Sequence, residues 1–198
     1  MNQPYFKPWY GKHSGTTKLL ILSESAYDWL GDDGKPCTPS RTHPRESLLW
    51  NIKQFGEARY FTQMSRALCG AESPTVEQMQ NAWNEYVYSI YVQGTVGLGA
   101  RSRPTPKQFR DAGPHFLKLI ENTRPLKVIV TGTTLWNKMP RTSLYRRELE
   151  AYRLSDGTLV WCLAVPHPSN RTVGFDWKRV RDSILRFRSI KLPRREHL

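Results

Sequence analysis

Lys18-Leu19-Leu20-Ile21-Leu22-Ser23-Glu24-Ser25 is the run on which the fold turns. Its continuous apolar stretch is too short for a typical helix and gives way to small polar residues, so it reads as a buried strand that opens into a loop near Ser23. Three further runs have the same character. Tyr86–Val92 is β-branched and aromatic and leads into Gln93-Gly94, Lys127–Thr131 is closed by Gly132, and Val160–Val165 ends in Pro166-His167-Pro168-Ser169. Between them lie helical spacings: Leu48, Leu49, Ile52 and Phe55, then Phe61, Met64, Ala67 and Leu68 after a break at Gly56. A helix start at Ser73-Pro74-Thr75 runs to about Asn84. An apolar stripe from Phe109 to Ile120 stops before Pro125, and Thr134 can cap a short helix through Trp136. Short buried strands alternating with helices imply an α/β fold, a three-layer α/β/α sandwich with a mostly parallel central sheet.

The rest of the chain fits one domain. A length of 198 residues is enough for one core and too little for two ordinary ones, so residues 1–198 read as a single domain with an N-terminal extension (1–17) and a basic C-terminal tail (189–198). From Tyr27 to Arg45, Gly, Pro, Asp and Ser crowd together and predict a long surface loop. Seven Trp and 38% hydrophobic residues exclude a disordered charged chain. No apolar run approaches the roughly 18 residues of a membrane span, and Met1–Lys12 lacks the apolar core of a signal peptide. The expectation is a cytoplasmic monomer without membrane contact. Cys37, Cys69 and Cys162 are odd in number and far apart, and the five histidines are scattered, so neither a disulfide framework, a metal site nor a cofactor is expected.

The charge points to a polyanion. Thirty Lys+Arg stand against 17 Asp+Glu, a net +13, and residues 171–198 alone carry nine basic against three acidic residues. Trp177, Val180, Ile184 and Phe187 line one face of a terminal helix whose other face carries Lys178, Arg179, Arg181, Arg186 and Arg188, of which Arg179 and Arg186 are taken as DNA contacts. Arg101 and Arg103 after the second strand, and Arg141, Arg146 and Arg147 after the third, extend the basic edge. In parallel sheets ligands sit beyond the carboxyl ends of the strands, here Glu24-Ser25, Gln93-Gly94, Thr131-Gly132 and His167-Pro168-Ser169.

In their order and context, Ser23-Glu24-Ser25-Ala26-Tyr27, the helix leading into Lys127–Gly132, and His167-Pro168-Ser169 resemble the uracil-DNA glycosylase superfamily over about residues 18–187. The resemblance implies that fold and a metal-free DNA glycosylase acting on a flipped base. Breaking the N-glycosidic bond leaves positive charge on the sugar and negative charge on the base, which calls for a carboxylate and an anion stabiliser. By resemblance His167 donates a hydrogen bond to a base oxygen and Glu24 steadies the sugar or its water, with Asp28 as a spare carboxylate. Ser25, Tyr27, Gln93 and Phe61 (or its neighbour Tyr60) would contact the base. Ser169 and the backbone amides around it would grip phosphate, while Asn170-Arg171-Thr172 stand where family members carry the wedge that enters the duplex, with Arg171 as the wedge by position. The departures are specific: Ser25 and Gln93 stand where better-known uracil enzymes carry Asp or Asn, and Asn. They imply a reshaped pocket, suited to a modified pyrimidine such as a bulky modified cytosine in viral DNA, hence to antiviral defence as well as repair of uracil. The alternative is a non-catalytic nucleic-acid-binding module on the same fold.

Overall fold

The computed structural model describes residues 6–99, 102–170 and 175–195. The chain opens with β1 (Trp9–Tyr10), α1 (Ser14–Thr17), β2 (Leu19–Ser23), β3 (Ala26–Leu30) and β4 (Pro36–Cys37). Three helices follow, α2 (His43–Lys53), α3 (Arg59–Cys69) and α4 (Val76–Trp83), then β5 (Tyr86–Ile90), β6 (Thr95–Leu98) and α5 (Pro106–Thr123). The last third holds β7 (Lys127–Thr131), α6 (Thr133–Lys138), β8 (Leu144–Arg146), β9 (Leu149–Arg153), β10 (Leu159–Val165) and α7 (Trp177–Ser189).

Seven strands form the main sheet in the order β1-β5-β2-β7-β10-β9-β8. The four apolar runs are its centre, and β5, β2, β7 and β10 pair in parallel. Both margins are antiparallel, β1 on β5 and the β8–β9 hairpin on β10, so the sheet is mixed and not mostly parallel. The β1–β5 pairing joins residues remote in sequence, and β8, although it forms a local hairpin with β9, has no apolar run to announce it.

Period-two alternation divides each central strand between two cores. Leu19 and Ile21, Tyr88 and Ile90, Ile129, and Trp161 and Leu163 face a core closed by Leu48, Phe61, Met64, Trp83, Ile184 and Phe187 from α2, α3, α4 and α7. Leu20 and Leu22, Val87, Val128 and Val130, and Val160 and Cys162 face a second core closed by Phe109, Phe116, Ile120 and Leu135 from α5 and α6. The chain therefore leaves β2 toward one face and β7 toward the other. In open α/β sheets a divergence of this kind marks the carboxyl ends of the two strands as the place where ligands sit.

Other expectations need correction. The predicted loop at 27–45 contains β3, β4 and the first turn of α2, and β3 pairs in parallel with β6 in a second, three-stranded sheet. Glycines and aspartates of the β3–β4 turn masked the alternation of Tyr27 and Trp29. The second strand stops at Ile90, after which Tyr91 and Val92 donate their N–H groups to the carbonyls of Ser23 and Glu24. Gly132, not Thr134, is the N-cap of α6. Near the ends of the described chain, Phe6 is buried with its N–H on Gln93 Oε1 at 2.8 Å, and Trp161 Nε1 donates to the Pro193 carbonyl at 2.8 Å.

Candidate active site at the carboxyl edge of the sheet

Parallel register sets the geometry. Ser23 lies opposite Ile90, Leu22 opposite Val130, and Thr131 opposite Val165, so the segments after β2, β5, β7 and β10 leave from one edge. Glu24 follows β2 directly and is 4% exposed. Its backbone carbonyl accepts from Val92, which ties the Glu24 backbone to the segment after β5. Burial raises the proton affinity of Glu24, and the guanidinium of Arg103 opposes that rise from 3.6 Å away.

His167 sits in a turn closed by the Asn170 N–H on its own carbonyl at 2.9 Å. The Ser169 N–H donates to Nδ1 at 3.2 Å, which makes Nδ1 an acceptor and places the ring proton on Nε2. Burial, aided by the charge of Arg103, lowers the His167 pKa to about 4. The imidazole is therefore neutral at physiological pH and still a donor through Nε2–H. Gly132, at φ +129°, brings its backbone against this ring: a β-carbon there would lie 3.3 Å from Cδ2 of His167.

Beneath the imidazole runs a chain of hydroxyls. Thr131 Oγ1 donates to the Leu22 carbonyl at 3.0 Å, so its single proton is spent and the Tyr60 hydroxyl must donate to it across 3.0 Å. Tyr60 packs on His167 with ring centroids 5.8 Å apart, and burial holds its phenol far above the ordinary range and so protonated. Ser23 Oγ and the Tyr88 hydroxyl share a bond of 3.1 Å alongside. The site thus joins an acidic group, a neutral donor and a cation: Glu24, His167 and Arg103.

The remaining expected residues are distributed unevenly. Phe61 is core, edge-on to Tyr60 and Tyr88 and beside Trp83, so of the two adjacent aromatics it is Tyr60 that meets His167. Gln93 has its amide committed to backbone, accepting from Phe6 and donating to the Ile90 carbonyl at 2.7 Å. Asp28 accepts from Thr95 Oγ1 at 3.1 Å through Oδ2, while its Oδ1 is buried without a partner. Ser25 is half-buried between β2 and β3; Tyr27 is 40% exposed on β3. Ser169 is exposed and Asn170 half-buried in the turn. Arg179 and Arg186 are exposed on α7, whereas Arg101 and Arg171 lie outside the described residues. Sequence reasoning missed Thr131 and Gly132 as supports of His167. The available signal was a hydroxyl and a glycine closing an otherwise apolar strand.

Among the described residues no group of three or more His, Cys, Asp or Glu side chains is arranged to hold a metal, and no helix is long and apolar enough to cross a membrane. No protein-family model matches this chain, and no curated protein matches it either.

Proposed function

We propose that this protein is a monofunctional DNA glycosylase of the uracil-DNA glycosylase superfamily, acting as a monomer on a flipped pyrimidine. The observation that carries the reading is a buried carboxylate, Glu24, and a neutral imidazole whose proton is on Nε2, His167, at one sheet edge, with the charge of Arg103 acting on both. In the reaction the N-glycosidic bond breaks and its electron pair stays with the base. His167 Nε2–H donates to a base oxygen as that charge builds, without itself needing to be an acid. Glu24 stabilises the developing sugar cation and orients the water that adds to it, accepting the proton released. Tyr60 and Gly132 keep the imidazole in place; the products are a free base and an abasic site.

What the second strand end supplies supports one reading of the substrate class. The Gln93 amide is already bonded to Phe6 and Ile90, so it is not offered to the ring edge of a base as an Asn reader would be. This supports a substituted pyrimidine, such as a bulky modified cytosine, over plain uracil, and antiviral defence over housekeeping repair. The test is incubation with matched oligonucleotides carrying normal bases, uracil or a hypermodified cytosine, followed by alkali. Breaks at the modified cytosine in excess of those at uracil are expected. Faster removal of uracil with none of the modified base would make it an ordinary repair enzyme. Salt-sensitive binding without breaks would leave a binding module.

A further inference from the structure

Arg103 reaches the site from the connection between β6 and α5, and the chain around it is pinned on both sides. Ser102 Oγ donates to the Leu98 carbonyl at 2.9 Å before it. After it, buried Pro104 leads to Thr105, whose hydroxyl caps α5 in a reciprocal box with Gln108, and Gln108 Nε2 in turn holds the Thr95 carbonyl at 3.1 Å. The side chain that emerges is 72% exposed yet places Nη1 3.6 Å from the buried Glu24 carboxylate. Among the described residues it is also the one cation whose charge acts on both Glu24 and His167. The titratable groups packed round this pair are phenols held neutral by burial, Tyr60 of α3 against His167 with Tyr88 of β5 behind it and Tyr27 of β3 beyond, and Asp28, which is bonded to Thr95.

A carboxylate serves a sugar cation best when nothing else neutralises it. In the free protein Arg103 does neutralise Glu24, from the solvent side and with most of its donors turned to water. A guanidinium prefers the bidentate grip of a phosphate to a single long contact with a carboxylate. A nucleotide with its base toward His167 and its sugar over Glu24 carries its phosphates to the exposed side of the pair.

We infer that Arg103 is a specificity-determining residue of the proposed reaction, a counter-ion that quenches Glu24 until a strand phosphate draws it away, so that nucleotides within a strand are processed in preference to free nucleosides. This inference rests on the glycosylase reading of the same site. The experiment compares single-turnover base release from an oligonucleotide and from the matching deoxynucleoside, using wild type, Arg103→Met and Arg103→Lys. In Arg103→Met the oligonucleotide rate should fall and the nucleoside rate rise, shrinking their ratio by about tenfold or more, with Arg103→Lys in between because it keeps the charge and loses the fork. Equal loss on both substrates, or no change on either, overturns the inference.

The His167 imidazole, titrated by NMR, gives a readout that needs no turnover. Its proton affinity should rise in Arg103→Met. When an oligonucleotide with a non-cleavable abasic analogue is added, the rise should be larger in wild type, where the Arg103 charge is also drawn away, than in the variant, where only the phosphate charge acts. An equal rise in the two proteins overturns the role of Arg103. Base release from no substrate, with these shifts present, would overturn the glycosylase reading instead.

Discussion

On the proposed reaction, His167→Ala removes an N–H offered to the leaving base, and because that donor matters most as charge develops, base release should slow by about a hundredfold or more while DNA binding persists. Unchanged single-turnover rates in a folded variant would exclude the role. The same substitution has a signature in stability. The native ring takes its proton near pH 4, the unfolded chain near 6.5, so the unfolded state binds more protons between those values. The contribution of this ring is unpenalised above about 6.5 and is lost as pH falls toward 4; Glu24, whose proton affinity is raised, acts with the opposite sign. Comparing wild type with His167→Ala isolates the ring: the stability difference in urea should shift against wild type by about 2 kcal/mol from pH 7 to pH 5. Glu24→Gln should likewise suppress cleavage, and Asp28→Asn, whose carboxylate is engaged by Thr95, should not. The reverse pattern would assign the carboxylate role to Asp28.

At the scale of elements, α4 and α5 carry the same device: Thr75 with Gln78, and Thr105 with Gln108, each satisfying two backbone donors reciprocally. Replacing either threonine by Ala should lower stability by about 1 kcal/mol in denaturant melts. Only Thr105→Ala should also slow oligonucleotide cleavage, since its helix start positions Arg103; equal rates in the two variants would separate the cap from the site. These helices, with α2, α3 and α7, were legible because their apolar residues recur with a turn's spacing, and the four central strands because they are apolar on both faces. β3, β6, β8 and β9 were not. β3 and β6 pair with each other across most of the first half of the chain, so their own residues carry little of the signal, and β8 and β9, although they form local hairpins, are short runs broken by charged residues. The site divides in the same way. Glu24 and His167 could be read as polar residues closing apolar strands. The pairing of Glu24 with Arg103 depends on how a connection after β6 folds back. Tyr60 and Phe61 are neighbours on one helix turn, and only the packing against Trp83 and Tyr88 decides which is core.

Across the whole molecule, the net charge of +13 is not a uniform surface on which every basic residue is free to meet phosphate. Lys127 donates to the carbonyls of Arg188 and Ile190 and so closes the end of α7. Arg188 lies over the Tyr86 ring and pairs with Glu85 at 3.4 Å, and Arg181 is laid against Gly70 with a contact to the Leu68 carbonyl. These side chains hold α7 in place. Arg179 and Arg186, both exposed, remain on its outer face, and the single long contact of Arg179 with Asp176, 3.8 Å on the surface, offers little resistance to a phosphate. Counterion release then separates the two groups. Each phosphate neutralised on duplex DNA contributes a slope of about −0.9 to log affinity against log salt, so the double variant Arg179→Gln, Arg186→Gln should make the slope shallower by up to about two. Arg188→Gln should instead lower the melting temperature and leave the slope as it was. Binding isotherms across a range of salt concentrations decide the matter: a slope unchanged in the double variant would move the phosphate path off α7, and one that shifts with Arg188→Gln would mean that the Glu85 pair opens when DNA arrives.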